Sequence, residues 1–129
     1  MKLGFSINKN TLGYGVVIPH HGTIVVGENT IGNYAVLHTS ICISGNGKKI
    51  GNGLYMATGA KITKKCFLGD GITVGANAVV CSDFGSNSLL IGIPAIKKKD
   101  SDIWYLTNGD EFKRRYTEVE KLKHVYEII

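Results

Sequence analysis

The sequence is poor in the residues that stabilise small secreted proteins and extended segments. Its 129 residues include three cysteines, two prolines and one tryptophan. An odd number of cysteines without metal-ligand spacing predicts reduced thiols and therefore a cytoplasmic protein. The scarcity of proline excludes a polyproline segment. The chain also lacks a run of about 18 apolar residues, so the sequence predicts no transmembrane helix.

Positive charge exceeds negative charge, but it is not concentrated. The formal net charge is +5 and the pI is about 9.1. No RNP-like or zinc-finger spacing accompanies this charge, and we expect no nucleic-acid partner. The alternatives are scattered surface charge and capture of a small phosphorylated cofactor. The lysines form three short clusters: Lys48 and Lys49, Lys64 and Lys65, and Lys97 to Lys99.

Glycine is abundant, with 17 residues, and aliphatic side chains recur at every sixth position. An early set with this period is Val25, Ile31, Leu37 and Ile43. Ile43 and Ile50 are seven residues apart, which indicates one inserted residue in the segment 44–49. From there the period continues unbroken through Ile50, Met56, Ile62, Leu68, Val74 and Val80. Four residues after these positions stand further inward candidates: Ala35, Leu54, Ala60, Cys66, Ile72 and Ala78.

A period of six matches neither an α-helix nor a plain alternating strand. It fits a short strand followed by a tight corner, and three such units close a triangular coil of about 18 residues. The predicted fold class is therefore all-β, a left-handed parallel β-helix of hexapeptide repeats. We expect this domain over residues 1–99, with 1–17 as a lead-in and about four coils from Ile18 to Ile96. The flat faces of so thin a prism predict a homotrimer.

Residues 100–129 are predicted to form a linker and an amphipathic helix. From Asp110 the apolar residues follow helical spacing, and Asn108 or Asp110 could cap the helix. One interpretation packs this helix over an open end or a side of the prism, with Trp104 and Tyr105 in the connection. The other is contact with a partner subunit. The predicted apolar face consists of Phe112, Tyr116, Val119, Leu122, Tyr126 and Ile129.

Three segments of the chain resemble a known enzyme family. Residues 18–28, IPHHGTIVVGE, resemble the active-site segment of serine O-acetyltransferases and of short polysaccharide O-acetyltransferases. In that family a histidine precedes the G-I-V-V-G-E-like run by about three residues, a spacing that matches His20. Residues 91–97, IGIPAIK, are similar to the G-x-P-A-[KR] ending of hexapeptide acyltransferases, and residues 77–80 to the G-[AS]-V-V segment before it. The resemblance covers residues 14–99.

The resemblance implies acetyl-CoA as co-substrate, no metal, and a homotrimer with active sites between neighbouring prisms. Carried over by position, it places Gly75, Ala76 and Ala95 near the pantetheine arm. It places Lys97 and Lys98 near the nucleotide.

Two departures from the family concern the acceptor. Pro19 stands where serine O-acetyltransferases usually have aspartate. The segment 44–51 is short and lacks the arginine and histidine that hold the carboxylate of serine in the family. These departures favour a sugar hydroxyl as acceptor, with serine as the alternative.

Transfer of an acyl group from a thioester to a hydroxyl requires a general base and a donor for the oxyanion. His20 is the candidate base, because an imidazole titrates near neutral pH. Glu28 or a residue of a neighbouring chain is expected to orient it. A backbone N–H near Gly45 or Gly59 is expected to hold the oxyanion. No cysteine or serine stands in a nucleophile motif, so we expect direct transfer without an acyl-enzyme.

The other histidines have weaker signals. His21 and His38 are candidate acceptor contacts, and His124 in the tail helix is expected to be solvated. A trimeric metal hydratase of the γ-carbonic-anhydrase kind would instead bind zinc through His20, His21 and His38. Adjacent histidines on a strand point in different directions, which argues against that alternative. A non-catalytic β-helix scaffold would bind no acetyl-CoA and would be insensitive to His20→Ala.

Overall fold

The structure is a computed structural model that describes residues 4–107 and 110–128, with side chains of the last helix described for residues 113–122. Most of its strands are short because they end at a corner after two or three residues, whereas β2 and β4 continue through a corner onto the next face. Their bounds are β1 (Phe5–Ile7), β2 (Ile24–Ile31), β3 (Val36–Leu37), β4 (Ile41–Ile50), β5 (Tyr55–Met56), β6 (Lys61–Ile62), β7 (Phe67–Leu68), β8 (Thr73–Val74), β9 (Val79–Val80), β10 (Ser88–Ile91) and β11 (Ile96–Asp100). The helices are α1 (Trp104–Thr107) and α2 (Asp110–Ile128).

The strands stack into a three-sided parallel β-helix of about five turns. Face 1 contains β1, the start of β2, the start of β4, β6 and β9. Face 2 contains the ends of β2 and β4 together with β7. Face 3 contains β3, β5, β8 and β10. The predicted fold class, a left-handed β-helix of hexapeptide repeats, is confirmed.

The core consists of the inward side chains of the repeat. The side chains of Leu37, Met56 and Ile62 are completely buried, as the period of six predicts. The second set is buried as well: Ala35, Leu54, Ala60, Cys66, Ile72 and Ala78. Burial raises the pKa of the Cys66 thiol. The two inward residues at each short strand together fill the narrow prism.

The prediction that Val25 points inward is wrong. Val26 is completely buried and pairs with Ile43 on the next coil, whereas Val25 is half-buried on the outer side of face 1. Val26 and Ile31 are five residues apart, so counting back six residues from Ile31 selects the wrong valine. A single short corner is enough to exchange the inward and outward positions of a strand.

The insertion predicted in the segment 44–49 is confirmed, but its consequence was not predicted. Val26 pairs with Ile43 and Ile31 with Ile50, so this corner is two residues longer than the one it stacks on. Lys48 therefore occupies the inward position two residues before Ile50, as Cys66 does before Leu68, and it is 2% exposed. The assignment of Lys48 to a surface cluster is therefore wrong.

The buried lysine is held by hydrogen bonds within the corner. Its ammonium donates to the carbonyl oxygen of Ser44. Its backbone N–H donates to Oδ1 of Asn29 at 3.0 Å. Because a buried polar group without a partner is costly, the bond to Ser44 stabilises the ammonium, while the bond to Asn29 on the neighbouring coil fixes the backbone that carries it. The other predicted lysine clusters, Lys64 with Lys65 and Lys97 to Lys99, are exposed.

The first coil lies within the segment that was expected to be a lead-in. Strand β1 pairs with Ile24–Val26 of β2, while Leu12 forms a bridge with Ile31 and Val17 with Val36. The count of coils is thus about five rather than four. Residues 4–17 show no hexad because the corners of this coil are unequal in length.

The chain leaves the β-helix through a hairpin and then packs a helix against its side. Strand β11 runs antiparallel to β10. Trp104 Nε1 then donates to the carbonyl of Tyr34 at 2.6 Å. From α2, Tyr116 and Val119 pack against a cluster that includes Tyr34 and Trp104. This contact supports the interpretation of a helix over a side of the prism, at the edge between faces 2 and 3.

Part of the predicted apolar face of α2 does not follow the pattern. Leu122 is 58% exposed, so its assignment to the packed face is wrong. Among the described side chains of α2, Tyr116, Val119 and Glu120 contact the prism. Neither described helix is long and apolar enough to cross a membrane. The side chains of Asn108, Asp110, Phe112, His124, Tyr126 and Ile129 lie outside the described part.

Candidate active site

The edge between face 3 and face 1, here named the site edge, collects most of the sequence-predicted site residues. Successive coils stack at this edge through main-chain bonds, such as that from the N–H of His38 to the carbonyl of Met56 at 3.2 Å. Residues far apart in sequence therefore form one column. The site edge carries His20 and His21 on the first coil, His38 on the second, Gly75 and Ala76 on the fourth, and Ala95 at the end of the fifth.

The corner that carries His20 is longer than the corner it stacks on. Val17 is bridged to Val36, and Ile24 is paired with Ile41, so the first coil needs two more residues than the second to turn this corner. The additional residues project from the prism. Both His20 and His21 are consequently exposed, which is where a base must lie to meet a bound substrate.

The second and third coils place an imidazole and a phenol in contact. Nε2 of His38 lies 2.9 Å from Oη of Tyr55, and the two ring centroids are 5.2 Å apart. Tyr55 precedes the inward Met56, so it points outward on face 3, and it is half-buried. Sequence reasoning missed Tyr55. Its outward place in the hexad was readable, but its contact with His38 depends on the register between coils.

Several backbone amides of the site edge are already committed to the β-helix. The N–H of Gly59 donates to the carbonyl of Thr39 at 3.1 Å. The N–H of Gly75 donates to Leu90, and that of Ala95 to Val79, both at 2.8 Å. Stacked coils require these bonds because buried backbone groups must be paired. Gly59 is therefore not available as the oxyanion donor that the sequence suggested.

Glu28, the expected partner of His20, and Gly45, expected near the oxyanion donor, lie at a different edge of the same chain. Glu28 and Gly45 both follow face 1, at its edge with face 2. The strand that separates this edge from the site edge spans three residues, or about 10 Å at the usual rise. Within one chain, neither Glu28 nor Gly45 can contact His20.

The basic residues expected near a nucleotide lie at the end of the stack. Lys97 and Lys98 are exposed on β11, which pairs with the last strand of face 3. The ammonium of Lys97 lies 2.6 Å from the carboxylate of Asp100, and this contact lowers the pKa of Asp100. Exposed Ile93 and Ile96 flank the turn that precedes these lysines. The end of the site edge is thus both apolar and basic.

The three candidate zinc ligands do not converge in the described structure. Among residues 4–107 and 110–128, no group of three or more histidine, cysteine, aspartate or glutamate side chains is arranged to hold a metal ion. His38 instead contacts the hydroxyl of Tyr55.

Comparison with known proteins gives relatives but no family model, since none matches this chain. The chain is 34% identical over 92 residues to the serine acetyltransferase of Helicobacter pylori, covering 65% of this chain and 54% of the relative. It is 32% identical over 91 residues to that of Synechococcus elongatus, covering 64% of this chain and 37% of the relative. The chain thus spans about half the length, or less, of these curated relatives.

Solved structures extend the similarity to the fold. The serine acetyltransferase of Neisseria gonorrhoeae superposes with a TM-score of 0.67 at 28% identity, covering 76% of this chain and 41% of that one. A serine acetyltransferase in complex with CoA has a TM-score of 0.61 at 23% identity, covering 73% and 39%. The polySia-specific acetyltransferase NeuO has a TM-score of 0.54 at 17% identity, covering 81% and 59%. At these lower identities the likeness concerns the fold alone.

These findings confirm the resemblance that the sequence predicts. The chain is similar in sequence to serine acetyltransferases, and its fold is the hexapeptide-repeat β-helix of acyltransferases.

Proposed function

We propose that this chain is an acetyl-CoA-dependent O-acetyltransferase in which His20 is the general base. The observation that carries the proposal is the position of His20. It stands on a corner that projects from the prism, at the edge that also carries Gly75, Ala76 and Ala95. An extended ligand laid along this edge would meet the later coils at one end and His20 at the other.

Acetyl-CoA is the donor that fits this arrangement. The first and fifth coils are separated by four coil spacings, or about 19 Å at the usual distance between strands. This distance suits a long, narrow arm rather than a compact ligand. Gly75 and Ala95 would present backbone and small side chains to it, and Lys97 and Lys98 would attract its phosphates. The solved serine acetyltransferase with CoA supports the same donor.

In the proposed reaction, His20 moves one proton. Its imidazole accepts the proton of the acceptor hydroxyl while the hydroxyl oxygen forms a bond with the acetyl carbonyl carbon. The carbonyl electrons move onto oxygen and form the oxyanion. When the oxyanion collapses, the carbon–sulfur bond breaks and His20 returns the proton to the departing sulfur. Transfer is direct, and no covalent enzyme intermediate forms.

Serine is the acceptor that the comparisons favour, in contrast to the sugar hydroxyl preferred from the sequence. Its support is the identity of 32 to 34% to serine acetyltransferases. A sugar hydroxyl is the second candidate. It is supported by the corner 44–49, which contains neither arginine nor histidine to pair with the carboxylate of serine. His21 and His38, both at the site edge, are the proposed acceptor contacts in either case.

A homotrimer would complete this site. Exposed Ile91, Ile93 and Ile96 lie at the end of the site edge, with 36%, 74% and 63% of their surfaces accessible. A second copy of the chain would cover them and could bring its own Glu28 toward His20. We also propose a cytoplasmic location, since the three described cysteines are free.

The test is thiol release from acetyl-CoA with serine, nucleotide sugars and hexosamines as acceptors. The parent is expected to turn over one of them. His20→Ala should lose turnover by a factor on the order of 100 to 10,000, the usual contribution of a general base. His21→Ala, the adjacent histidine on the same corner, should lose less. A His20→Ala variant with the rate of the parent would contradict the proposal. A parent without turnover or acetyl-CoA binding would support the scaffold alternative.

A further inference from the structure

We propose that Tyr55 and His38 act as a pair that donates a hydrogen bond to the oxyanion of the acyl transfer. This inference rests on the proposed function, because it assigns a role within the same site. It begins from the contact between Oη of Tyr55 and Nε2 of His38, which are 2.9 Å apart at the site edge.

The pair is held in place from both sides. Tyr55 packs its ring against the aromatic cluster that contains Val36 and Trp104, beneath the C-terminal helix. Its hydroxyl reaches past this apolar cluster to the site edge. His38 is fixed by its backbone, whose N–H donates to the carbonyl of Met56 at 3.2 Å. Both side chains are half-buried, so their polar atoms are preorganised and remain accessible from the edge.

The pair retains one hydrogen to donate in either neutral tautomer of His38. If Nε2 carries the proton, it donates to Oη of Tyr55, and the phenolic O–H is left to donate outward. If Nδ1 carries the proton, Tyr55 donates its O–H to Nε2, and the Nδ1–H is left. In each case the internal hydrogen bond polarises the remaining donor. The role therefore does not depend on the assignment of the tautomer.

Three backbone amides at this edge are already engaged. The amides of Gly59, Gly75 and Ala95 donate to carbonyls of neighbouring coils. The ammonium of Lys48 is buried at the other end of face 1 and donates to Ser44. His38 lies on the coil directly next to that of His20, and Tyr55 lies one coil further along. Along the stack the imidazole is therefore about 4.8 Å and the phenol about 10 Å from the coil of His20, so an acetyl carbonyl beside His20 would meet the imidazole end of the pair first.

The role of the pair can be stated at the level of atoms. As the acceptor oxygen bonds to the acetyl carbon, negative charge develops on the carbonyl oxygen. The pair holds that charge by a hydrogen bond and transfers no proton to it. His20 carries the only proton that moves, from the acceptor hydroxyl to the departing sulfur. Tyr55 and His38 end the cycle in the state in which they began it.

The test compares Tyr55→Phe with the parent in the thiol-release assay. The substitution removes the hydroxyl and keeps the ring in the aromatic cluster. We expect kcat to fall by a factor on the order of 100, the usual effect of one oxyanion donor, with KM for acetyl-CoA and Tm nearly unchanged. The kcat of His38→Ala should fall by a similar factor. The double variant should keep the kcat of the less active single variant, because the two residues act as a unit.

The matched control is Tyr14→Phe. Tyr14 donates to Glu120 under the helix, away from the site edge, so its kcat should equal that of the parent. A Tyr55→Phe variant with the kcat of the parent overturns the proposal. A lower Tm together with a raised KM in Tyr55→Phe also overturns the proposal, because that result would assign the pair a role in packing. A parent that releases no thiol with any acceptor refutes the proposed function itself, and this assignment with it.

Discussion

Replacing Lys48 with alanine should destabilise the fold far more than replacing its neighbour Lys49. The Lys48 side chain is 2% exposed, and its ammonium donates to the carbonyl of Ser44. Lys48→Ala removes three methylenes from the interior, at about 0.8 kcal/mol each. It also leaves the Ser44 carbonyl without its partner, at a cost of about 1 kcal/mol. Together these losses predict a decrease of about 3 kcal/mol in the free energy of unfolding.

The assay is urea denaturation followed by circular dichroism, at one protein concentration because association would shift the midpoint. Lys49→Ala is the control, since Lys49 is exposed on face 2 of the same corner. Its effect should stay within about 0.5 kcal/mol. Lys48→Met should lose less than Lys48→Ala, because it refills the volume without a charge. Equal stabilities of Lys48→Ala and Lys49→Ala would show that the lysine is solvated and that the corner has a different conformation.

Three further outcomes follow from the packing. Val26→Ala should lower the free energy of unfolding by about 2 kcal/mol because Val26 is completely buried, whereas Val25→Ala should lower it by less than about 1 kcal/mol. The reverse order in urea titrations would show that Val25 is the inward residue. The pKa of Tyr34 is raised by burial and by its hydrogen bond to Glu120. The contribution of Tyr34 to stability should therefore be constant well below pH 10 and fall above it, where this tyrosine ionises in the unfolded chain but not in the folded one, and Tyr34→Phe should reduce this fall in urea midpoints measured across pH. Leu122→Gln should leave Tm unchanged, because Leu122 is 58% exposed; a clear drop would place it in an interface.

The period of six predicts the fold because each short strand buries one aliphatic side chain per face. Ile50 to Val80 keep that spacing, so their coils could be read directly from the sequence. The first two coils could not, because their corners contain five or seven residue steps instead of six. Val25 was assigned inward for this reason, and Lys48 was assigned to the surface. A repeat specifies the inward positions only while the corners remain equal.

The candidate site was predictable to the extent that it lies within one segment. His20 was found from the residues that follow it, and its exposure agrees with a role in catalysis. The contact between His38 and Tyr55 joins residues 17 positions apart. It depends on the offset of 19 residues between Val36 and Tyr55 on neighbouring coils. No local pattern encodes that offset, because it results from the lengths of three separate corners.

The irregular corners have a common location in the fold. The corner of His20 leads from the first coil into face 1 of the second, and the corner of Lys48 leaves face 1 on the third. Each is two residues longer than the corner of the second coil beside it. Regular hexads would have sufficed to close the prism, so the additional residues are not needed for packing alone. They project His20 outward at one rim of face 1 and hold a buried ammonium at the other. If copies of the chain associate through face 1, residues from both rims would border the same cleft.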